Sequence, residues 1–111
     1  MDRGVKMVQN TQYISDNKTR DALKYMLEKK IEEEIKKRCN RIEGVLRVTP
    51  LINIDKTTDG VYIIDIKVIV KTKKELINIH LIKKKIKEEI NEIINHVAAP
   101  NILRVNVEFF P

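Results

Sequence analysis

Val61-Tyr-Ile-Ile-Asp-Ile-Lys-Val-Ile-Val70 is the stretch that decides the fold. Eight of its ten residues are apolar and most of these are β-branched, which makes it the strongest strand signal in the chain. Because side chains alternate between the two faces of a strand, one parity should face the core. That parity consists of Tyr62, Ile64, Ile66, Val68 and Val70. The other parity carries Asp65 and Lys67 but also Ile63 and Ile69, so we expect a partner or another element to cover that face in part.

The residues before this stretch predict its hairpin partner. Residues 45–55 alternate between apolar and polar side chains, and residues 56–60 supply a loop that ends in an Asp-Gly turn. Pro50 lies on the inward parity and cannot donate to a ladder, which indicates an edge strand or a bulge. Its position favours strand 61–70 at the centre of the sheet. The inward residues of the first strand are expected to be Leu46, Val48, Ile52 and Ile54.

Two amphipathic helices flank the hairpin. The first is predicted over 17–40, with an N-cap at 15–16 and a short edge strand at 13–14 before it. Its apolar stripe recurs every four residues through Leu23, Leu27, Ile31, Ile35 and Cys39, with Met26 beside it. The second helix is predicted over 76–96 and a last strand over 102–109. The stripe of the second helix consists of Ile79, Ile82, Ile86, Ile90, Ile93 and Val97.

The predicted order is therefore α-β-β-α-β. Two helices that cover one face of a three-stranded sheet make a two-layer α+β domain. Residues 1–12 are predicted to be a loose N-terminal arm, and residues 13–111 a single domain. Whether the last strand pairs with the first or the second is not decided by the pattern.

Composition favours a small cytoplasmic protein. The 111 residues include 22 Lys and Arg against 16 Asp and Glu, which gives a net charge of +6. The one cysteine excludes an intramolecular disulfide and fits a reducing compartment. No apolar run approaches the roughly 20 residues that span a bilayer, and the first residues lack the apolar core of a signal peptide. We therefore expect a soluble, cytoplasmic chain.

No stretch has the pattern of a reaction centre. His80 and His96 lie far outside metal-ligand spacing, and Cys39 lies on the apolar stripe of the first helix, which is typical of a packed thiol. The only glycines are Gly4, Gly44 and Gly60, so no Gly-rich loop is present to bind phosphate. The sequence predicts a non-enzymatic protein without a catalytic residue, metal, cofactor or small-molecule substrate.

Two surfaces are candidates for binding a macromolecule. Val61, Ile63 and Ile69 lie away from the predicted helices, and an uncovered apolar patch on such a chain indicates an interface, here for self-association into a homo-oligomer. The alternative is a basic nucleic-acid-binding patch. Its residues would be Lys71, Lys73, Lys74, Lys83, Lys84 and Lys87.

Several local stretches resemble the alkaline shock protein family, also called the envelope stress response family. Tyr-Ile-Ser-Asp at 13–16 is similar to the opening of that domain, and Glu-Gly-Val at 43–45 to the end of its first helix. Asp-Gly at 59–60 with the strand that follows resembles its central strand. Ala-Ala-Pro-Asn-Ile at 98–102, followed by Val-Asn-Val at 105–107, is similar to its closing helix and strand.

This resemblance implies a non-enzymatic cytoplasmic protein of Gram-positive bacteria. Such proteins assemble with themselves and associate peripherally with the cell envelope through a membrane-anchored partner. The ring-building modules of sporulation and secretion machines have the same α-β-β-α-β order and are the second family to which the chain is similar.

Overall fold

The structure is a computed structural model that describes residues 8–73 and 78–110, with side chains described from Ala22 onward within those ranges. It contains two helices and three strands in the predicted order α-β-β-α-β. The elements are α1 (Val8–Cys39), β1 (Val45–Lys56), β2 (Tyr62–Thr72), α2 (Ile79–Val97) and β3 (Ile102–Phe110).

The sheet has the order β1-β2-β3, with β2 at the centre. β1 is antiparallel to β2, and β3 is parallel to β2. The prediction that Pro50 marks an edge strand is confirmed, since β1 lies at one edge and Pro50 is opposite Val68. A parallel β2–β3 pair requires a crossover, which α2 supplies.

A single apolar core lies between the sheet and the helices. The inward parity of β2 is buried as predicted from Ile64 onward, with Ile64, Val68 and Val70 at 0 % exposure, and Tyr62 is half-buried. The helices contribute Ile31, Ile35, Cys39, Ile82, Ile86, Ile90, Ile93 and Ile94. Both helices therefore pack on the same face of the sheet, and the predicted two-layer α+β architecture is confirmed.

A bulge changes which side chains of β1 point inward at its start. Leu46 was expected in the core but is 56 % exposed, whereas Val45 is 6 % exposed. The pairing register with β2 shifts between Val45 and Arg47. One extra residue in a strand reverses the parity of everything before it, so Val45 takes the inward place.

The predicted start of α1 is wrong. The helix begins at Val8, so the expected short strand at 13–14 and the cap at 15–16 are helical instead. No Gly or Pro occurs between Gly4 and Gly44 to interrupt the helix. An N-cap contributes only about 1 kcal/mol, so a helix can continue through capping residues such as those at 15–16. Residues 1–7 of the predicted arm lie outside the described residues, and residues 8–12 belong to α1.

The apolar stripes of both helices also extend beyond the core. Leu23 and Met26 are 59 % and 65 % exposed, and Leu27 is the first α1 residue with a described side chain that packs against the core. Ile79, the first residue of α2, is 44 % exposed. Just before it, Asn78 is the N-cap of α2, and its Oδ1 accepts a hydrogen bond from the N–H of Leu81 at 3.1 Å. The predicted start of this helix at residue 76 lies outside the described residues.

No helix within the described ranges is both long enough and apolar enough to cross a membrane.

Candidate interaction surface

The side of the sheet that faces away from α1 and α2 is called the open face here. No helix or strand among the described residues covers it. Because β2 alternates strictly and its neighbours are in register with it, the open face follows from the pairing. It consists of Arg47, Thr49, Leu51, Asn53, Asp55, Ile63, Asp65, Lys67, Ile69, Lys71, Ile102, Arg104, Asn106, Glu108 and Phe110.

The structure separates the residues of the predicted self-association patch. Ile63 and Ile69 both lie on the open face of β2 and are partly exposed, and Val61 lies in the loop just before this strand. Asp65 and Lys67 lie between Ile63 and Ile69 on the same face. The patch is thus divided into two apolar ends with a polar centre, and no other element within the described ranges covers it as expected.

Neighbouring strands extend both apolar ends. Ile102 of β3 is 40 % exposed and pairs with Ile63. Phe110 is 49 % exposed at the other end of β3, with the Nζ of Lys71 5.8 Å from the centre of its ring, a distance that suits a cation–π contact. Leu51 of β1 is 51 % exposed and lies opposite Lys67, between the two apolar ends. The sequence indicates that Leu51 points outward, because it has the outward parity of the predicted strand. Which residues of β2 lie beside it depends on the pairing register, which the sequence does not give.

The centre of the open face is a row of paired charges. Arg104 makes a bidentate contact with Asp65, with Nε–Oδ1 and Nη2–Oδ2 distances of 2.6 and 3.1 Å. Hydrogen bonding to Arg104 holds the pKa of Asp65 below its usual value. Lys67 Nζ lies 3.4 Å from Glu108 Oε2, and the same carboxylate accepts a hydrogen bond from Asn106 Nδ2 at 3.1 Å.

These residues surround a shallow depression of about 370 Å³ on the open face. It crosses all three strands, and its walls include Leu51, Lys67 and Arg104. Its charged groups, Asp65, Lys67 and Arg104, are engaged in ion pairs, and its lining contains no nucleophile beside a base.

The two edges of the sheet differ. At the β1 edge, the N–H of Ile54 donates to Glu28 Oε2 on α1 at 3.0 Å, so it points away from β2. The backbone N–H groups of every second residue in an antiparallel strand point to the same side. The backbone N of Pro50, four residues before Ile54, therefore also points outward, but it carries no hydrogen to donate. Glu28 and Pro50 thus block the addition of a further strand at this edge.

The predicted basic patch is divided between the two layers of the domain. Lys71 lies on the open face beside Phe110, whereas Lys83, Lys84 and Lys87 lie on α2 in the helical layer. Lys73 is exposed just after β2, and residue 74 lies outside the described residues. The described lysines therefore do not share one face.

The other residues with chemical potential are placed as follows. Cys39 is 0 % exposed, and burial raises the pKa of its thiol to about 12, which disfavours the nucleophilic thiolate. His80 and His96 are both exposed on α2. Across the described part of the chain, no three His, Cys, Asp or Glu side chains are arranged to hold a metal ion.

The charged groove between α1 and α2, about 710 Å³, is organised by Arg38. Its Nη1 lies 2.8 Å from Glu92 Oε1 and 3.4 Å from Glu89 Oε1, and its Nε lies 3.7 Å from Glu34 Oε1. Hydrogen bonding to Glu92 raises the pKa of Arg38. Glu89 and Glu92 thus tie α2 to Arg38 of α1, whereas Glu34 contacts Arg38 within α1.

The fold and this surface define a two-layer α+β domain with one uncovered sheet face. No protein-family model matches the chain, and no curated protein matches it. Among solved structures, the chain is similar to EscJ, a type III secretion system protein of enteropathogenic E. coli, with a TM-score of 0.52 and 15% sequence identity. The match covers 90% of this chain and 56% of that one, so the chain spans little more than half the length of EscJ. At this identity the likeness concerns the fold.

Proposed function

We propose that this chain is a non-enzymatic interaction domain that assembles with copies of itself. The observation that carries the proposal is the open face, where Leu51, Ile102 and Phe110 are each 40 % exposed or more on a sheet that has its core on the other side. Exposed apolar side chains on an uncovered sheet face are typical of a protein–protein interface.

The likeness to a type III secretion system protein supports a more specific form of this proposal. Ring-building modules of secretion and sporulation machines share the α-β-β-α-β order, and a ring forms when two different surfaces of one chain bind each other and the rotation closes. The open face is one of the two surfaces that such a contact requires. We therefore propose a ring-building or similar scaffold role.

The resemblance to the alkaline shock protein family leads to the same class of function. On that proposal the domain works in the cytoplasm and is held at the envelope by a membrane-anchored protein partner. The separation of Lys71 from Lys83, Lys84 and Lys87 gives the nucleic-acid alternative no support.

The experiment compares two lysine substitutions at exposed leucines. Leu51→Lys puts a charge on the open face, and Leu81→Lys makes the same change on α2, where the side chain is 46 % exposed. We expect the unmodified chain to have a mass above its 13.0 kDa in multi-angle light scattering. Leu51→Lys should lower this mass toward 13.0 kDa with an unchanged circular dichroism spectrum, and Leu81→Lys should leave it unchanged.

The proposal fails if the unmodified chain is a monomer at every concentration up to about 200 μM, because any self-association would then have a dissociation constant above about 200 μM. The choice of the open face fails if Leu81→Lys disrupts the assembly as strongly as Leu51→Lys.

A further inference from the structure

The outer edge of β3 is open where the β1 edge is closed. β3 lies at the end of the strand order, and within the described ranges no backbone or side-chain group hydrogen-bonds its outer side. An edge strand nine residues long presents a row of unpaired N–H and C=O groups that pair readily with another strand. The edge has no proline between residues 102 and 110.

The sequence of β3 is complementary to itself when it is reversed. In Ile102-Leu-Arg-Val-Asn-Val-Glu-Phe-Phe110, an antiparallel pairing centred on Asn106 places Arg104 opposite Glu108 twice, once in each direction. On the same face Ile102 is opposite Phe110. On the core side the pairs are Leu103 with Phe109 and Val105 with Val107, which join apolar side chains.

We propose that the outer edge of β3 binds β3 of a second copy of this chain, antiparallel and centred on Asn106. The two three-stranded sheets then form one six-stranded sheet with β1 at both outer edges. This inference rests on the proposed function, because both require self-association, but it uses the sheet edge and not the open face.

Charge complementarity selects this register. Each Arg104 already contacts Asp65 of its own chain at 2.6 Å, and each Glu108 contacts its own Lys67 at 3.4 Å. The new pairing places Glu108 of the second copy beside Arg104, so that acidic and basic groups alternate across the junction. Opposite charges at directly facing positions stabilise a strand pair.

Other registers lack this match. A shift that centres the pairing on Arg104 or on Glu108 places that residue opposite its own copy, and like charges directly opposite are destabilising. A centre on residue 105 pairs Ile102 with Glu108. Odd-numbered residues of β3 face the core and even-numbered ones face the open side. A register that pairs odd with even residues puts core-facing side chains such as the buried Val107 beside open-face side chains of the second copy, which is unfavourable.

A charge-swap experiment tests the pairing. Arg104→Glu leaves two acidic groups facing each other at each contact, and Glu108→Arg leaves two basic groups, so each variant alone should dimerise roughly tenfold more weakly. An equimolar mixture of the two should form a heterodimer, because every facing pair is again opposite in charge. Lys84→Glu and Glu88→Arg, on the exposed side of α2, change the net charge by the same amounts and are the matched control.

Native mass spectrometry of the mixtures gives the readout. We expect the Arg104→Glu and Glu108→Arg chains to form mixed dimers in large excess over homodimers, and the α2 variants to mix at random. Loss of self-association in both edge variants without recovery on mixing would overturn the pairing, and so would an equal preference for mixed dimers in the control pair. If Leu51→Lys still dissociates the assembly in that case, the proposed function stands and only the edge contact is refuted.

A covalent trap covers the case in which the charge variants do not fold. On the two-fold axis the Cα atoms of two facing residues are about 4.5–5.5 Å apart, within the range that a disulfide spans. Asn106→Cys should therefore oxidise to a covalent dimer, whereas Asn91→Cys on α2 should not, and the native Cys39 is buried. Equal rates of cross-linking at residues 106 and 91 would overturn the proposal.

Discussion

Ile90→Ala tests the packing that makes α2 a part of the domain. Ile90 is 0 % exposed and lies near the middle of α2, where the apolar stripe of the helix meets the core. The substitution deletes three buried carbon atoms and leaves a hole that the surrounding isoleucines and valines fill only in part. Ile79→Ala makes the same chemical change at a residue that is 44 % exposed.

The expected loss of stability for Ile90→Ala is about 3 kcal/mol. Three carbon atoms at about 0.8 kcal/mol each account for roughly 2.4 kcal/mol, and the residual cavity adds to that figure within the 2–5 kcal/mol usual for this change. The better helix propensity of alanine returns about 0.4 kcal/mol. For 111 residues the unfolding entropy near the midpoint is about 0.23 kcal/mol/K, so Tm should fall by about 13 °C.

Thermal and urea unfolding followed by circular dichroism measure the effect at one fixed protein concentration, because self-association would otherwise change the apparent stability. Ile79→Ala should change the free energy of unfolding by less than about 0.5 kcal/mol. The reasoning is refuted if the two variants lose equal stability, or if Ile90→Ala costs less than about 1 kcal/mol.

Three further predictions concern single side chains. Asn78→Ala removes the side-chain oxygen that caps the N–H of Leu81, so the free energy of unfolding should fall by about 1 kcal/mol, whereas Asn78→Asp should retain most of it. The pKa of the Cys39 thiol is about 12 in the folded chain and about 8.5 in the unfolded chain. The neutral thiol therefore stabilises the fold fully below about pH 8.5, and this stabilisation is lost as pH rises toward 12. Between pH 8 and pH 10 the free energy of unfolding should fall more steeply in the unmodified chain than in Cys39→Ala. Gly60→Ala should lower the free energy of unfolding in urea by about 1 kcal/mol. The φ of Gly60 is +88° and the added Cβ meets nothing within 4 Å, so backbone strain is the only cost. An unchanged urea midpoint would contradict this account of the strain.

The order of elements and the core could be predicted because they depend on local pattern. The run of β-branched residues from Tyr62 to Val70, with Asp65 and Lys67 on one parity, identified the central strand and its inward face, and Pro50 identified the edge strand. Each signal can be read from one strand alone, because neither the two-residue period of β2 nor the missing N–H of Pro50 depends on which residues lie opposite.

The features that depend on pairing could not be predicted in this way. The bulge between Val45 and Arg47 exposes Leu46, and its signal is a register shift between two strands, not a residue type. The contacts of Ile102 with Ile63 and of Arg104 with Asp65 join residues 39 apart in sequence. They exist because β3 is parallel to β2 and in one particular register.

The basic patch shows the same limit from the other direction. Lys71 and Lys83 are close in sequence and are both basic, but alternation places Lys71 on the open face, whereas Lys83 lies on a helix that covers the opposite face. A cluster of like residues along the chain becomes one surface only when the fold keeps it on one layer.

Sedimentation equilibrium of the unmodified chain tests the central claim most directly. Measured from about 5 to 200 μM, a range in which associations with micromolar dissociation constants are resolved, the apparent mass should rise with concentration above 13.0 kDa, through twice that value. A mass of 13.0 kDa at every concentration would contradict the account, because it would leave the open face and the β3 edge without the partner they are proposed to bind.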